Sequence, residues 1–142
     1  MSIRLWTAIV IATAFTLPSV PARAATNTEL CANGSVAVLR VNSIKPASSR
    51  ASFEQAVNEH MKWYRDHGFK ENDMEIVDVL TFDRASQTSG IATSQVMTIH
   101  RNPPGADKTL ALRDAAWQAY VAAYRASSSI VSENTVCMPK RK

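Results

Sequence analysis

Residues Ser52–Phe82, SFEQAVNEHMKWYRDHGFKENDMEIVDVLTF, contain the two patterns on which the fold prediction depends. The first four residues have the S-x-x-Q form of a capping box, which is typical of a helix start. Apolar residues then recur every three or four positions up to Gly68, a residue type that commonly ends helices. Beyond that glycine, Glu75–Phe82 is short and rich in β-branched residues, as strands are. The stretch therefore predicts a helix at about Phe53–His67 followed by a strand.

Three further strands and a second helix are predicted on either side of this stretch. Ser35–Val41, SVAVLRV, predicts a strand before the helix, and Ile91–Arg101 predicts a strand that forms an antiparallel hairpin with the preceding one. A Pro-Pro-Gly break follows. Asp107 can then cap a helix over about Lys108–Ala126. Ile130–Val136 predicts the last strand.

The resulting element order is β-α-β-β-α-β, which is the pattern of the ferredoxin-like α+β fold. Short connections and right-handed crossovers favour one antiparallel sheet with both helices on the same face. In that topology the strand order is 4-1-3-2. The first strand then lies antiparallel to the fourth, so the start of one neighbours the end of the other.

The composition is that of an ordinary globular protein. Of 142 residues, 46% are hydrophobic and 20% are charged, with 4 glycines and 6 prolines, which excludes a disordered, collagen-like or repeat chain. The length suits one domain, and we expect a single ferredoxin-like domain over residues 25–142. The formal net charge is +4, and Lys140–Lys142 at the tail supplies three positive charges. A nucleic-acid partner is therefore not expected.

The first 24 residues have the features of a secretory signal peptide. The apolar run Leu5–Leu17 is followed by two prolines and by Ala22-Arg23-Ala24, the small-x-small pattern that a signal peptidase needs. We expect cleavage after Ala24 and a periplasmic or secreted protein. The run is shorter than the ~20 residues that span a bilayer, so no stable membrane span is expected after cleavage. An uncleaved anchor remains the alternative.

The two cysteines, Cys31 and Cys137, are expected to form a disulfide. Export exposes them to an oxidising compartment. The predicted topology also brings them together, because Cys31 precedes the first strand and Cys137 closes the fourth. A catalytic thiol pair is the alternative, but it would need C-x-x-C spacing or a nearby base, and the sequence has neither.

Both faces of the predicted sheet carry apolar side chains. In the first strand, Val36 and Val38 point one way, while Ala37, Leu39 and Val41 point the other. The helices cover only one face, and an apolar patch left on the other is usually an interface. We therefore expect a homodimer that packs sheet on sheet, the alternative being a half-wetted face that tolerates scattered valines.

The element order, the doubly apolar sheet and the helix segment His60–Phe69, HMKWYRDHGF, resemble the dimeric α/β-barrel superfamily. This group includes antibiotic-biosynthesis-monooxygenase-like, EthD-like and NIPSNAP-like proteins. The resemblance covers about Val36–Cys137 and implies a dimeric barrel with a ligand pocket between the sheet and the helices of each subunit. Activities in the group range from cofactor-independent oxygenation and haem degradation to cyclisation and dehalogenation, so the fold does not select a reaction.

Four side chains are candidates for lining a ligand pocket: His60, Tyr64, His100 and Trp117. His60 and Tyr64 lie four positions apart on the core-facing side of the first helix, where an imidazole can act as a base and a phenol can orient a substrate oxygen. His100 ends the third strand, and strand ends often carry function. Trp117 lies in the second helix. The alternative is that these rings only pack in the core.

Metal and cofactor binding are not expected. His60 and His67 lie seven positions apart, about 10.5 Å along a helix axis, so they cannot easily share one ion. His67 precedes Gly68, and we expect it to interact with the helix C-terminus. The sequence contains no recognisable nucleophile or carboxylate pair, so no catalytic residue is assigned.

Three functions remain open at this stage. The first is a small-molecule-binding module that holds an apolar or aromatic ligand between sheet and helices. The second is a cofactor-independent barrel-type enzyme, monooxygenase-like or cyclase-like, with a histidine base. The third is a structural or interaction protein of the cell envelope. The binding module ranks first because the sequence shows no recognisable nucleophile, set of metal ligands or pair of carboxylates.

Overall fold

The computed structural model describes residues 25–139, so the predicted signal peptide Met1–Ala24 and the last three residues lie outside it. Residues 25–139 form four strands and two long helices, with one short helix before the first strand and a second short helix and a 3-10 turn before the last long helix. In chain order the elements are α1 (Asn27–Leu30), β1 (Gly34–Ile44), α2 (Arg50–Asp66), β2 (Asp73–Asp83), β3 (Thr88–Arg101), α3 (Ala106–Thr109), the 3-10 turn (Leu110–Leu112), α4 (Ala115–Ser127) and β4 (Ser128–Pro139).

The four strands form one antiparallel sheet in the order β2-β3-β1-β4. This is the predicted 4-1-3-2 order, and the ferredoxin-like α+β fold is confirmed. Helices α2 and α4 pack on the same face, where the rings of Phe53 and Tyr124 lie 5.4 Å apart. Both rings pack around Val96 of β3, so the core lies between this helix pair and the sheet.

Helix α2 begins three residues earlier than the sequence predicts. Ser49 is its N-cap, with an extended backbone and a side chain that accepts a hydrogen bond from the Ser52 amide. The expected capping box starting at Ser52 is therefore wrong, because Ser49 satisfies the free amide one turn earlier. The C-terminus is as predicted, since Gly68 takes a left-handed φ of 83° just beyond it.

The second predicted helix is divided in two. Asp107 does not cap it: Gly105 precedes the short α3, and the chain then passes through a 3-10 turn. Helix α4 starts afresh after Asp114, which has an extended backbone and whose Oδ1 accepts the Trp117 amide at 2.9 Å. The predicted single helix Lys108–Ala126 is therefore wrong: the first helical stretch ends with the 3-10 turn at Leu112, and Asp114 caps a separate helix.

The strands are longer than predicted, above all in the hairpin between β2 and β3. Half of the expected loop Asp83–Gly90 is strand, and the turn itself spans only residues 84–87. The Asp83 carboxylate accepts hydrogen bonds from the Ala85 amide and the Ser86 hydroxyl. These hydrogen bonds stabilise a tight turn, where the polar composition of the segment had suggested a longer loop.

Cys31 and Cys137 form a disulfide, with their Cα atoms 5.4 Å apart. In the β1–β4 register Cys137 lies opposite Val36, so the bond ties the segment that precedes β1 to the end of β4, as the predicted topology requires. A bonded cysteine pair indicates an oxidising compartment.

The sheet face opposite the helices carries a row of half-buried apolar side chains. Leu39 lies opposite Ile99, and Val41 lies opposite Met97. Their alternation with Val96, which points into the core, assigns them to the other face. The expectation that both faces carry apolar groups is met, and this surface is called the open face below.

Candidate functional site

The structure brings all four predicted pocket residues together between α2, α4 and β3. The ring of His60 lies 4.6 Å from that of Tyr64, 5.7 Å from His100 and 5.4 Å from Trp117, measured between centroids. A fifth ring joins them: Tyr120 stacks on His60 at 4.0 Å with an interplanar angle of 7°. We call these five residues the histidine cluster. The rings of the histidine cluster pack against one another.

His60 is the most unusual member of the histidine cluster. Its side chain is 4% exposed, and its Nε2 atom has no hydrogen-bond partner among the described residues. Burial lowers its pKa to about 3, with His100 and Arg40 adding electrostatic repulsion of the charged form. The imidazole is therefore neutral at physiological pH, and one of its ring nitrogens is left without the partner that buried polar atoms normally have.

His100 is held in one orientation by a chain of hydrogen bonds. Its Nε2 lies 3.2 Å from Nδ2 of the buried Asn72, and Oδ1 of that amide accepts from Nη1 of Arg65 at 2.7 Å. Because Arg65 can only donate, the Asn72 amide group turns its NH₂ towards His100. Nε2 of His100 is thus the acceptor, and the proton lies on Nδ1. Burial, assisted by Arg40, lowers the pKa of His100 to about 4.

His67 lies outside the cluster, at the C-cap of α2, as expected. Its Nδ1 lies 2.8 Å from the Trp63 carbonyl oxygen, and its ring stacks on the Trp63 indole at 4.2 Å. Its Nε2 is 3.7 Å from Oδ2 of Asp114. The Trp63 indole N–H donates to the same carboxylate at 2.9 Å. Asp114 therefore ties the end of α2 to the start of α4.

A cleft of about 540 Å³ opens beside the histidine cluster, between α4 and the β1–β4 side of the sheet. We call it the cationic cleft. Its lining residues are Arg40, Lys45, Tyr120, Val121, Tyr124, Arg125, Ser128, Ser129 and Ile130. Tyr120 is the link between the two features, because it lines the cleft and also stacks on His60.

The polar groups of the cationic cleft are anchored from several elements. Nε of Arg40 donates to Oε2 of Glu133 at 2.5 Å, and Nζ of Lys45 donates to the Arg125 carbonyl oxygen at 2.5 Å. The Tyr124 hydroxyl donates to Oδ1 of the buried Asn42 at 2.7 Å. Burial raises the pKa of Tyr120 to about 12, so its phenol remains a neutral hydrogen-bond donor.

A second cleft, of about 670 Å³, lies at the end of the sheet next to the disulfide. The loops after α2 and β3 form much of its wall, including Asn102 with a left-handed φ of 47°. Asn72 also lines it, so the residue that orients His100 reaches this second opening. It carries no concentration of one charge, since Lys70, Glu71, Asp107 and Lys108 all border it.

Residues 25–139 contain neither a metal-binding cluster nor a membrane-spanning helix. Within that range no three histidine, cysteine or carboxylate side chains converge in a way that could hold a metal ion. None of the helices there is both long and apolar enough to cross a bilayer.

Sequence reasoning missed the cations of the cleft and the Arg65–Asn72 pair behind His100. Arg40 had a usable signal: it interrupts the apolar strand SVAVLRV and alternates with Leu39 onto the helix-covered face. Tyr120 also had one, at three residues from Trp117 on the same helix. Lys45 and Arg125 had no such signal in the sequence, because the two residues that this hydrogen bond joins lie 80 positions apart.

Comparisons with known proteins return likenesses of structure only. No family model matches the chain, and no curated protein does. Three solved structures each align with 76% of this chain and 96% of their own. They are SnoaB, a cofactor-independent oxygenase from Streptomyces nogalater (12% identity, TM-score 0.45), a protein from Arabidopsis thaliana (9%, 0.44), and a Chloroflexus aurantiacus protein named after the antibiotic biosynthesis monooxygenases (9%, 0.39).

Proposed function

We propose that this protein is an exported small-molecule-binding module whose ligand occupies the cationic cleft against Tyr120. One observation carries the proposal: Tyr120 lines the cleft and stacks at 4.0 Å on a buried, neutral His60 whose Nε2 has no partner among the described residues. The volume of about 540 Å³ lies within the range of roughly 300–1,000 Å³ typical of ligand sites. Aromatic walls with a few fixed polar groups are also typical of such sites.

Binding ranks ahead of base catalysis because of the pKa values of the two buried histidines. A general base works best when its pKa lies near the working pH. Burial holds the pKa of His60 at about 3 and that of His100 at about 4, so both imidazoles are weak proton acceptors. They suit a role as neutral hydrogen-bonding groups. Nε2 of His60 has no hydrogen-bond partner within residues 25–139, and this observation keeps a cofactor-independent enzyme as the second candidate.

Export is part of the proposal. The disulfide between Cys31 and Cys137 suits an oxidising compartment, and the predicted signal peptide would deliver the chain to the periplasm or the medium. The mass of the protein recovered from that fraction tests the point. A chain that starts at Ala25 and lacks two hydrogens from its cysteines is expected, and a reduced chain starting at Met1 would contradict export.

A homodimer is also part of the proposal. The open face carries half-buried Leu39, Val41, Met97 and Ile99, and a second copy packed sheet on sheet would remove them from water. Sedimentation equilibrium at micromolar concentration should give the mass of two subunits. Ile99→Glu should give one subunit, whereas Gln118→Glu, an exposed change on α4, should leave the dimer intact. A wild-type mass of one subunit would overturn the dimer.

Calorimetric titration with two flat probes of equal size, 2-naphthoate and 2-naphthamide, tests binding at the cleft. At least one should bind, and Ser129→Trp should abolish that binding by filling the cleft it lines. Gln118→Trp introduces the same indole on an exposed position of α4 that does not line the cleft, and it should bind as the wild type does. If neither probe binds at about 1 mM, a strength of about −4 kcal/mol, the binding proposal fails and an interaction protein becomes the favoured function.

A further inference from the structure

The cationic cleft concentrates positive charge from three separate parts of the chain. Arg40 comes from β1, Lys45 from the connection after it, and Arg125 from the last turn of α4. The cleft lining contains no carboxylate. The nearest anionic contact is Glu133, which binds Arg40 from β4. Three cations facing one carboxylate leave the opening with an excess of positive charge.

Arg40 keeps donors available for a second anion. Its Nε donates to Glu133 at 2.5 Å, which is the only hydrogen bond from this guanidinium to the described residues. A guanidinium has five N–H donors arranged for carboxylate oxygens, so four remain. The side chain is 27% exposed, and at such partly desolvated positions a charge-assisted hydrogen bond is stronger than in open water.

Lys45 is placed to assist from the rim of the cleft. Its Nζ donates one hydrogen bond, to the Arg125 carbonyl oxygen at 2.5 Å. An ammonium group has three donors, and this single bond fixes the group at the mouth of the cleft while leaving the others. The backbone contact therefore positions the charge without neutralising it.

The remaining walls are apolar or aromatic. Two tyrosines, Tyr120 and Tyr124, line the cleft together with the aliphatic side chains of Val121 and Ile130. A free phosphate or another small inorganic anion would leave these surfaces in water. A molecule with one anionic end and a flat apolar body would contact both kinds of wall at once.

We infer that the ligand is a small organic carboxylate, with its anionic group held by Arg40 and Lys45 and its apolar body against Tyr120 and Ile130. This inference rests on the proposed function and specifies its ligand class. Glu133 acts as an internal competitor, because its carboxylate already occupies one edge of the Arg40 guanidinium. Removing that charge makes Arg40 a stronger anion binder.

The experiment compares 2-naphthoate with 2-naphthamide, which differ in charge and share one ring system. Titration calorimetry at about pH 7, where a carboxylate is ionised, should give at least roughly tenfold tighter binding of the carboxylate. Lys45→Gln and the double change Arg40→Gln/Glu133→Gln should each remove that preference. The double change avoids leaving Glu133 unpaired. Glu133→Gln alone should tighten binding of the carboxylate and leave the amide unchanged.

Arg84→Gln is the matched control, since Arg84 lies in the exposed β2–β3 turn, away from the cleft. It should keep the full preference for the carboxylate. Raising salt from about 0.1 M to 1 M should weaken binding of naphthoate more than that of naphthamide, because salt screens exposed charges.

Four results would overturn the inference. If both probes bind equally and Ser129→Trp abolishes both, the binding proposal stands and the charge assignment fails. If naphthoate is preferred but the Arg40 and Lys45 variants retain the preference, another cation is responsible. If inorganic phosphate at millimolar concentration displaces naphthoate, the site is a general anion site. If neither probe binds, the proposed function fails together with the inference.

Discussion

Helices α2 and α4 lie side by side on the same face of the sheet, yet they bury very different shares of their surface. Of its 17 residues α2 buries six: Phe53, Ala56, Val57, His60, Trp63 and Tyr64. Of its 13 residues α4 buries only Ser127. Its large side chains, among them Trp117 and Tyr124, are only partly buried. One helix closes the core, and the other leaves a cleft beside it.

The side chains of α4 explain why its half stays open. Its sequence AAWQAYVAAYRAS contains six alanines, which favour the helix but cannot fill the space above the sheet. Only three positions of α4 carry aromatic rings. One of them is Tyr124, whose hydroxyl donates to Oδ1 of Asn42 in the sheet. Helix formation and core filling are therefore separate properties. A ligand site can form where a helix is stable but its side chains do not fill the space between it and the sheet.

Truncation of one apolar side chain on each helix tests this difference most strongly. Phe53→Ala should lower the free energy of unfolding by about 3–5 kcal/mol, because Phe53 is fully buried and a cavity would remain. Val121→Ala on the cleft side of α4 should cost about 1 kcal/mol or less, since that side chain already faces an opening. Urea denaturation of both variants gives the two values. Equal losses would show that the two halves are packed alike.

Acid should destabilise the well-packed region between α2 and the sheet, because it contains two buried histidines, His60 and His100. The unfolded chain takes up protons on histidine near pH 6.5, whereas the folded chain holds the pKa of His60 near 3 and that of His100 near 4. Full stability is therefore present above about pH 6.5, and it declines as the pH falls towards 4. By pH 5 each histidine should account for roughly 2 kcal/mol of loss.

The measurement is urea denaturation at several pH values for the wild type and for His60→Phe. The variant should lose less stability between pH 7 and pH 5 than the wild type, by roughly 2 kcal/mol, and the difference between the two profiles isolates His60 from the carboxylates. Parallel profiles would mean that His60 gains its proton as easily in the folded protein as in the unfolded chain.

The smallest predicted effect concerns the start of α4. Asp114→Ala removes the N-cap of this helix and the acceptor of the Trp63 indole N–H, and it should cost about 1–2 kcal/mol. Asp107→Ala removes the carboxylate that the sequence suggested as the cap, and it should change stability by less than about 0.5 kcal/mol. Thermal or urea denaturation of the pair decides between them, and a larger loss at Asp107 would contradict the observed helix boundary.

The fold could be predicted because its information lies in local spacing. Strand alternation, the helical period before Gly68 and the Pro-Pro break give the element order, and connection rules then give the sheet. The division of the second helix could not be predicted in this way. Asp107 and Asp114 both precede segments that can form a helix, so either could serve as a cap. The contact of Asp114 with Trp63 of α2 depends on tertiary structure.

The candidate site was predictable only where one element carried the signal. His60 and Tyr64 share a helix face, and His100 ends a strand opposite them. The cations Arg40, Lys45 and Arg125 meet only because β1 and α4 lie side by side. Long, flexible side chains from distant parts of the sequence give no periodic pattern, so their convergence becomes visible only in three dimensions.

The Cys31–Cys137 bond, across a sequence separation of 106 residues, also governs how the protein withstands proteases. The exposed β2–β3 turn at residues 84–87 lies inside that span and is a natural cleavage point. A cut there leaves two fragments that remain covalently joined by the Cys31–Cys137 bond, while strand pairing holds β2 against β3. A nicked molecule therefore migrates as one chain without a thiol reagent and separates into two pieces only after reduction.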